Sequence, residues 1–184
     1  MTTAVEQYYR IHSKLYDCTR WSFLFGRNKL IDALEGMAPP AQILEIGCGT
    51  GKNLRALRRR FPEARITGVD LSADMLRLAG RKCGCTGESV DLVQCNYNSP
   101  LSSGQYDLVV CSYSLSMFNP GWAEAIDCAA KDLRPGGLMT VVDFHQTRFN
   151  LFKSWMQANH VRMEGHLLER LAETFEPVRQ WVKS

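Results

Sequence analysis

Ile43-Leu44-Glu45-Ile46-Gly47-Cys48-Gly49-Thr50-Gly51-Lys52-Asn53 is the stretch that decides the fold. A mostly apolar run enters three glycines at alternate positions, and Leu54, Leu57 and Phe61 follow at helical spacing, so it reads as strand, tight turn and helix. Glycine at 47, 49 and 51 permits positive φ in the turn and leaves no Cβ to hold a ligand off the backbone. The helix behind the turn offers unsatisfied N–H groups in its first turn.

The spacing narrows the ligand. A dinucleotide turn has G-x-G-x-x-G with phosphate at the helix N-terminus, whereas here Glu45 precedes the glycines and the pattern is acid-x-G-x-G-x-G. A carboxylate beside the turn disfavours pyrophosphate and suits a positively charged ligand. Beyond Gly51, Ile66-Thr67-Gly68-Val69-Asp70 reads as a second strand ending in an acid, placed where a carboxylate accepts hydrogen bonds from both ribose hydroxyls. Glycines, first acid and second acid, in this order and spacing, resemble the class I S-adenosylmethionine-dependent methyltransferases. The resemblance implies S-adenosyl-L-methionine as cofactor and S-adenosyl-L-homocysteine as product.

Composition is that of one globular domain: 184 residues, 45% hydrophobic and 22% charged. A net charge of +3 is too mild for a nucleic-acid binder, which carries a concentrated basic footprint. Arg55, Arg58, Arg59 and Arg60 come nearest to one, and read as a solvated helix face or as a patch attracted to an anionic membrane surface. Seven cysteines, an odd number spread along the chain, and no signal peptide at the first residues, lead to the expectation of reduced thiols in a cytoplasmic protein. Cys83-Gly84-Cys85 lacks a second pair, so no metal site is expected. No apolar run approaches a membrane span, and any lipid contact is expected to be peripheral.

Along the chain, residues 1–40 read as a helical lid and 41–184 as the core of the same single domain. The lid gathers Tyr9, His12, Tyr16, Asp17 and Arg20 at helical separations, a polar side that a pure packing face would not collect, and Pro39-Pro40 ends it. Ser72 is placed to cap a helix to Arg81, with Met75 and Leu76 turned inward. Val90–Cys95 reads as a third strand running into the Asn96-Tyr97-Asn98 turn, and Tyr106–Cys111 as a central one ending at Ser112-Tyr113-Ser114. Asn119 is expected to cap a helix with Pro120 at its first position, running to about Leu133 and closed by Arg134-Pro135-Gly136-Gly137. Leu138–Phe144 reads as a fifth buried strand, followed by helices near 148–159 and 165–175 and a last strand at 177–183.

Alternation of strand and helix predicts an α/β fold: a Rossmann-like doubly wound, mostly parallel sheet with helices on both faces. Ligands should gather beyond the strands' carboxyl ends, where Glu45, Asp70, Asn96, Ser112 and Asp143 to His145 fall. Class I methyltransferases usually finish with two antiparallel strands. This sequence has residues for one, so the C-terminal edge is expected to be incomplete or completed by another copy in a dimer.

Tyr16–Arg27, Leu44–Asn53, Ser112–Met117 and Leu133–Gly137 with Val141–Phe144 further resemble the N-methyltransferases of betaine-lipid synthesis, which act on diacylglyceryl homoserine. The family resemblance implies that Glu45 and the segment Gly47, Cys48, Gly49, Gly51 and Asn53 hold the methionine part. It implies Asp70 with Leu71 and Met75 at the ribose side, Asn96 and Tyr97 at the adenine, and Ser112 beside them. Arg20 pairs with the cofactor carboxylate or simply with Asp17. Tyr9, Tyr16, Trp21 and Tyr113 are candidates for an aromatic cage around a methylated cation, and His145 or His12 for a base. The expected activity is N-methylation of an amino-lipid head group. The alternatives are methyl transfer to a soluble small-molecule amine or hydroxyl, or cofactor binding without catalysis.

Overall fold

A computed structural model of the chain describes residues 26–84, 90–145, 154 and 165–182. The order is α1 (Gly26–Asp32), β1 (Gln42–Ile46), α2 (Lys52–Arg60), β2 (Arg65–Asp70), α3 (Ala73–Cys83), β3 (Val90–Gln94), β4 (Tyr106–Ser112), a 3₁₀ turn (Leu115–Met117), α4 (Trp122–Asp132), β5 (Leu133–Val142) and α5 (His166–Thr174). Five strands form one sheet in the order β3-β2-β1-β4-β5 with every pairing parallel. The order reverses between β1 and β4, so the turn after β1 sits at the switch point of the sheet.

Strand alternation explains the two layers. In β1, Ile43 faces the cluster of Leu30, Leu34, Leu54, Leu57 and Leu76 from α1, the turn after it, α2 and α3, while Leu44 and Ile46 face Ala125, Ile126 and Leu167 from α4 and α5. Leu108 and Val110 against Val109 and Cys111 repeat this division in β4. Both faces of the central strands are therefore dry, which is why they read as continuous apolar runs. Glu45 has the parity of Ile43 and points into the α1–α2 layer.

Ser72 caps α3 as expected, its Oγ accepting from the Met75 N–H at 3.3 Å, and Gly84 closes the helix in the left-handed region at φ 62°. Elsewhere the structure corrects the reading. α4 begins at Trp122, because Gly121 at φ 124° interposes a non-helical step after Pro120. Arg134-Pro135-Gly136-Gly137 lies within β5 as an excursion: Tyr106 pairs with Leu133 and Leu108 with Leu138, so the extra residues leave the ladder. β5 is half-buried, not fully buried, since no described strand lies beyond it. Pro177–Val182 is irregular where a strand was expected. Its apolar side chains find no face to bury, with Val178 84% and Trp181 49% exposed. The lid up to Phe25 and, apart from position 154, the helix near 148–159 lie outside the described residues.

Asp132, fully buried at the end of α4, holds the third crossover. Its carboxylate accepts from the Tyr97 hydroxyl at 2.7 Å and from the Leu101 and Ser102 N–H groups at 2.9 and 2.8 Å. Asp132→Ala leaves the buried Tyr97 hydroxyl and two half-buried N–H groups without their acceptor, and should cost about 3–5 kcal/mol of stability in urea denaturation.

Candidate functional site

The glycine turn is built by backbone bonds before any ligand is considered. Gly47 and Cys48 N–H groups both donate to the Val69 carbonyl at 2.9 Å, and Gly51 N–H donates to the Cys48 carbonyl at 3.0 Å. Gly47, Gly49 and Gly51 have φ of 70°, 54° and 75°, the left-handed region that side chains rarely adopt. They nevertheless do different work. A Cβ on Gly47 would lie 2.5 Å from Ser114 Cβ, and one on Gly51 3.0 Å from Ala79 Cβ and Cys83 Sγ. Those two glycines let protein pack on protein. Only a Cβ on Gly49 would meet nothing within 4 Å, so Gly49 carries the open side of the turn.

Asp70 closes the turn from β2. One carboxylate oxygen accepts from Gly49 N–H at 2.8 Å, and the other from Ser72 N–H at 2.9 Å. An ionised carboxylate has about four acceptor sites on its two oxygens. Leu71, next in sequence, is 38% exposed, an apolar surface on the rim. Met75 is buried in the first turn of α3, and Asn96 is exposed after β3, where the Cys95 N–H donates to the Asp70 carbonyl.

Glu45 is 1% exposed at the end of β1. One oxygen accepts from Asn53 Nδ2 at 2.9 Å, and the other is buried with no hydrogen-bond partner among the described residues. Burial pushes its pKa up to about 8, opposed by the Asn53 amide and the Arg27 guanidinium and reinforced by the Asp70 charge. Arg27, in the first turn of α1, is the residue the sequence reading leaves without a role here, since nothing local links it to β1. Cys48 sits in the same pocket of charge, and burial with the two carboxylates drives its thiol far above the usual range, so it stays protonated.

The expected site residues do not all converge. Tyr97 is 2% exposed, with its hydroxyl given to Asp132, and serves the core on the α4 face. Ser112 is buried at the end of β4, its hydroxyl without a partner among the described residues. Tyr113 is 8% exposed at φ 53°, its ring 4.9 Å from Phe144 and its hydroxyl accepting the Gly26 N–H at 3.0 Å. A Cβ on Gly26 would fall 2.7 Å from that hydroxyl and 2.4 Å from Val142 Cγ2, so Tyr113 anchors the start of α1 on β5. Asp143 ties the 3₁₀ turn to β5, accepting from Ser116 and Phe144 N–H groups at 3.1 and 2.8 Å. His145 is half-buried, and its carbonyl accepts from Gly165 N–H. Tyr16 and Arg20, with Tyr9, His12 and Trp21, lie outside the described residues.

Fold and turn together define a nucleoside-binding α/β domain whose pocket carries one spare buried carboxylate oxygen. The chain belongs to the methyltransferase domain family, whose model matches residues 43–137. It is 36% identical over 107 residues to the malonyl-[acyl-carrier protein] O-methyltransferase of Priestia megaterium, covering 58% of this chain and 38% of that protein. It is 30% identical over 148 residues to trans-aconitate 2-methyltransferase of Deinococcus radiodurans, covering 79% of this chain and 49% of that one. The chain thus spans less than half the length of these relatives. Among solved structures, phosphoethanolamine N-methyltransferase 2 of Haemonchus contortus superposes with a TM-score of 0.69 at 20% identity, covering 80% of this chain and 36% of that one.

S-adenosylmethionine, the cofactor of such methyltransferases, fits the residues present. Its cationic methionine end suits the buried Glu45 oxygen that has no hydrogen-bond partner among the described residues, its ribose the acceptor chemistry of the Asp70 carboxylate, and its path the open side of Gly49.

Proposed function

We propose that this domain transfers the methyl group of S-adenosylmethionine to a carboxylate oxygen of a small organic acid. The sulfonium supplies an already activated methyl group, so the chain's task is to hold and align the two partners and exclude water. A carboxylate acceptor is ionised at neutral pH and presents its lone pair without help from a base. His145 then needs no proton-transfer role. The reading is carried by the relatives that match the chain, named for malonyl and trans-aconitate, both carboxylic acids. The amino-lipid acceptor implied by the finer resemblance gains no support from those names, and most of its proposed cage lies outside the described residues.

Incubation with methyl-labelled S-adenosylmethionine and a panel of trans-aconitate, a malonyl thioester, phosphoethanolamine and diacylglyceryl homoserine tests it. A methyl ester releases labelled methanol in mild base. The expected result is base-labile label on an acid. Base-stable label on an amine sinks the proposal in favour of N-methylation, and tight binding without turnover on any acid supports a non-catalytic role.

A further inference from the structure

The helices on the two faces of the sheet differ in charge. α2 has five basic residues and no acid, and α3 three basic against one acidic. On the opposite face, α4 has three acidic residues against one basic and α5 two against one. The excess on α2 alone surpasses the +3 of the whole chain. Lys52, Arg55, Arg58 and Arg59 are exposed, and no acidic side chain among the described residues pairs with them. Leu54 and Leu57 bury the other side of this helix, so the cations share the outward face.

We propose that this face of α2 docks an acidic protein, with an exposed helix of the partner lying along Lys52, Arg55, Arg58 and Arg59. The cationic stripe is about 10 Å long at 1.5 Å per residue, and its three- and four-residue steps match glutamates on one face of a helix. Lys52 follows Gly51 directly, so a partner on this stripe has one end beside the glycine turn. The acid-rich α4–α5 face repels the same partner and steers it to the α2 side. A membrane fits less well. Among the described residues the exposed large apolar side chains are Leu71, Val178, Trp181 and Val182, and none stands on α2 or α3 to enter a lipid interface beside the arginines. The inference adds a partner to the acid-methylation reading and does not depend on it.

The test is binding, without turnover. The probe is a helical peptide of about 20 residues with glutamates along one face, titrated at low salt against the whole chain, an R55E/R58E/R59E variant, and a K29E/K131E/R179E control of equal charge change. The expected result is at least about tenfold weaker binding for the α2 variant and a change within about twofold for the control. Equal losses in both variants reduce the effect to net charge and overturn the proposal. So does tighter binding of a duplex DNA or of vesicles rich in anionic lipid to the same face. Self-association that the α2 variant abolishes assigns the face to a second copy and overturns it as well. Circular dichroism of both variants confirms that they fold.

Discussion

Glu45→Gln should weaken S-adenosylmethionine binding about a hundredfold at pH 8.5, a loss of roughly 2–3 kcal/mol measured by calorimetric titration. Glutamine keeps the volume and still accepts from Asn53, so the change removes the charge and little else. In the ligand-free protein the Glu45 carboxyl titrates near 8, against 4.5 for its unperturbed value. A bound cation favours the ionised form, so binding below pH 8 expels a proton. Affinity of the native protein therefore rises with pH, approaching tenfold per unit, and levels above about 8. The glutamine variant should show no such rise. Stability runs the other way. Between pH 4.5 and 8 the unfolded chain has lost a proton that the native state retains, so the ligand-free protein is destabilised as pH rises through that window. Thermal melts at pH 6 and pH 8.5 should show the variant gaining on the native protein at the higher pH. Identical pH profiles for the two defeat this account of Glu45.

Gly47→Ala and Gly49→Ala should fail in opposite ways. At position 47 the new methyl lies 2.5 Å from Ser114 Cβ at φ 70°, and both Ser114 and Gly47 are fixed by strand ends. Strain of about 1–2 kcal/mol and overpacking of about 1–3 kcal/mol add, so the folded state should lose about 2–5 kcal/mol. At position 49 the methyl enters open space at φ 54°, with a folding cost of about 1 kcal/mol. Its effect should fall on the cofactor, with affinity lowered more than about tenfold. Urea denaturation without ligand, set beside calorimetric titration, separates the two. Native affinity in Gly49→Ala means that the ligand does not cross the turn at this point.

β1, β2 and β4 are legible because burial on both faces leaves continuous apolar runs, and the start of α3 because Ser72 caps it, whereas its end falls at Cys83, two residues beyond the expected Arg81. The bracket of Glu45 and Asp70 is legible because each acid ends a strand at a fixed distance from the glycines. Which glycine faces a ligand is not legible. Gly47 and Gly51 are required by Ser114 and by Ala79 with Cys83, contacts made by residues far along the chain. Tyr97 reads as a binding residue from its turn, but Asp132 decides which way its ring swings. The excursion at Arg134–Gly137 is set by pairing with Tyr106 and Leu108, and the periodicity of its own residues does not announce it. Pro177–Val182 looks like a strand because its composition suits one, yet no described strand pairs with it.

Asp70 also governs how the two loops around it move. Its two oxygens hold the Gly49 amide of one loop and the Ser72 amide of another. Two connections distant in sequence are thereby fastened to a single side chain, and neither can open while that carboxylate stays in place. Hydrogen exchange at the two amides should accordingly be synchronous, slowing together when ligand is added and quickening together in Asp70→Ala. The pocket then behaves as one cooperative unit whose closure registers at both loops.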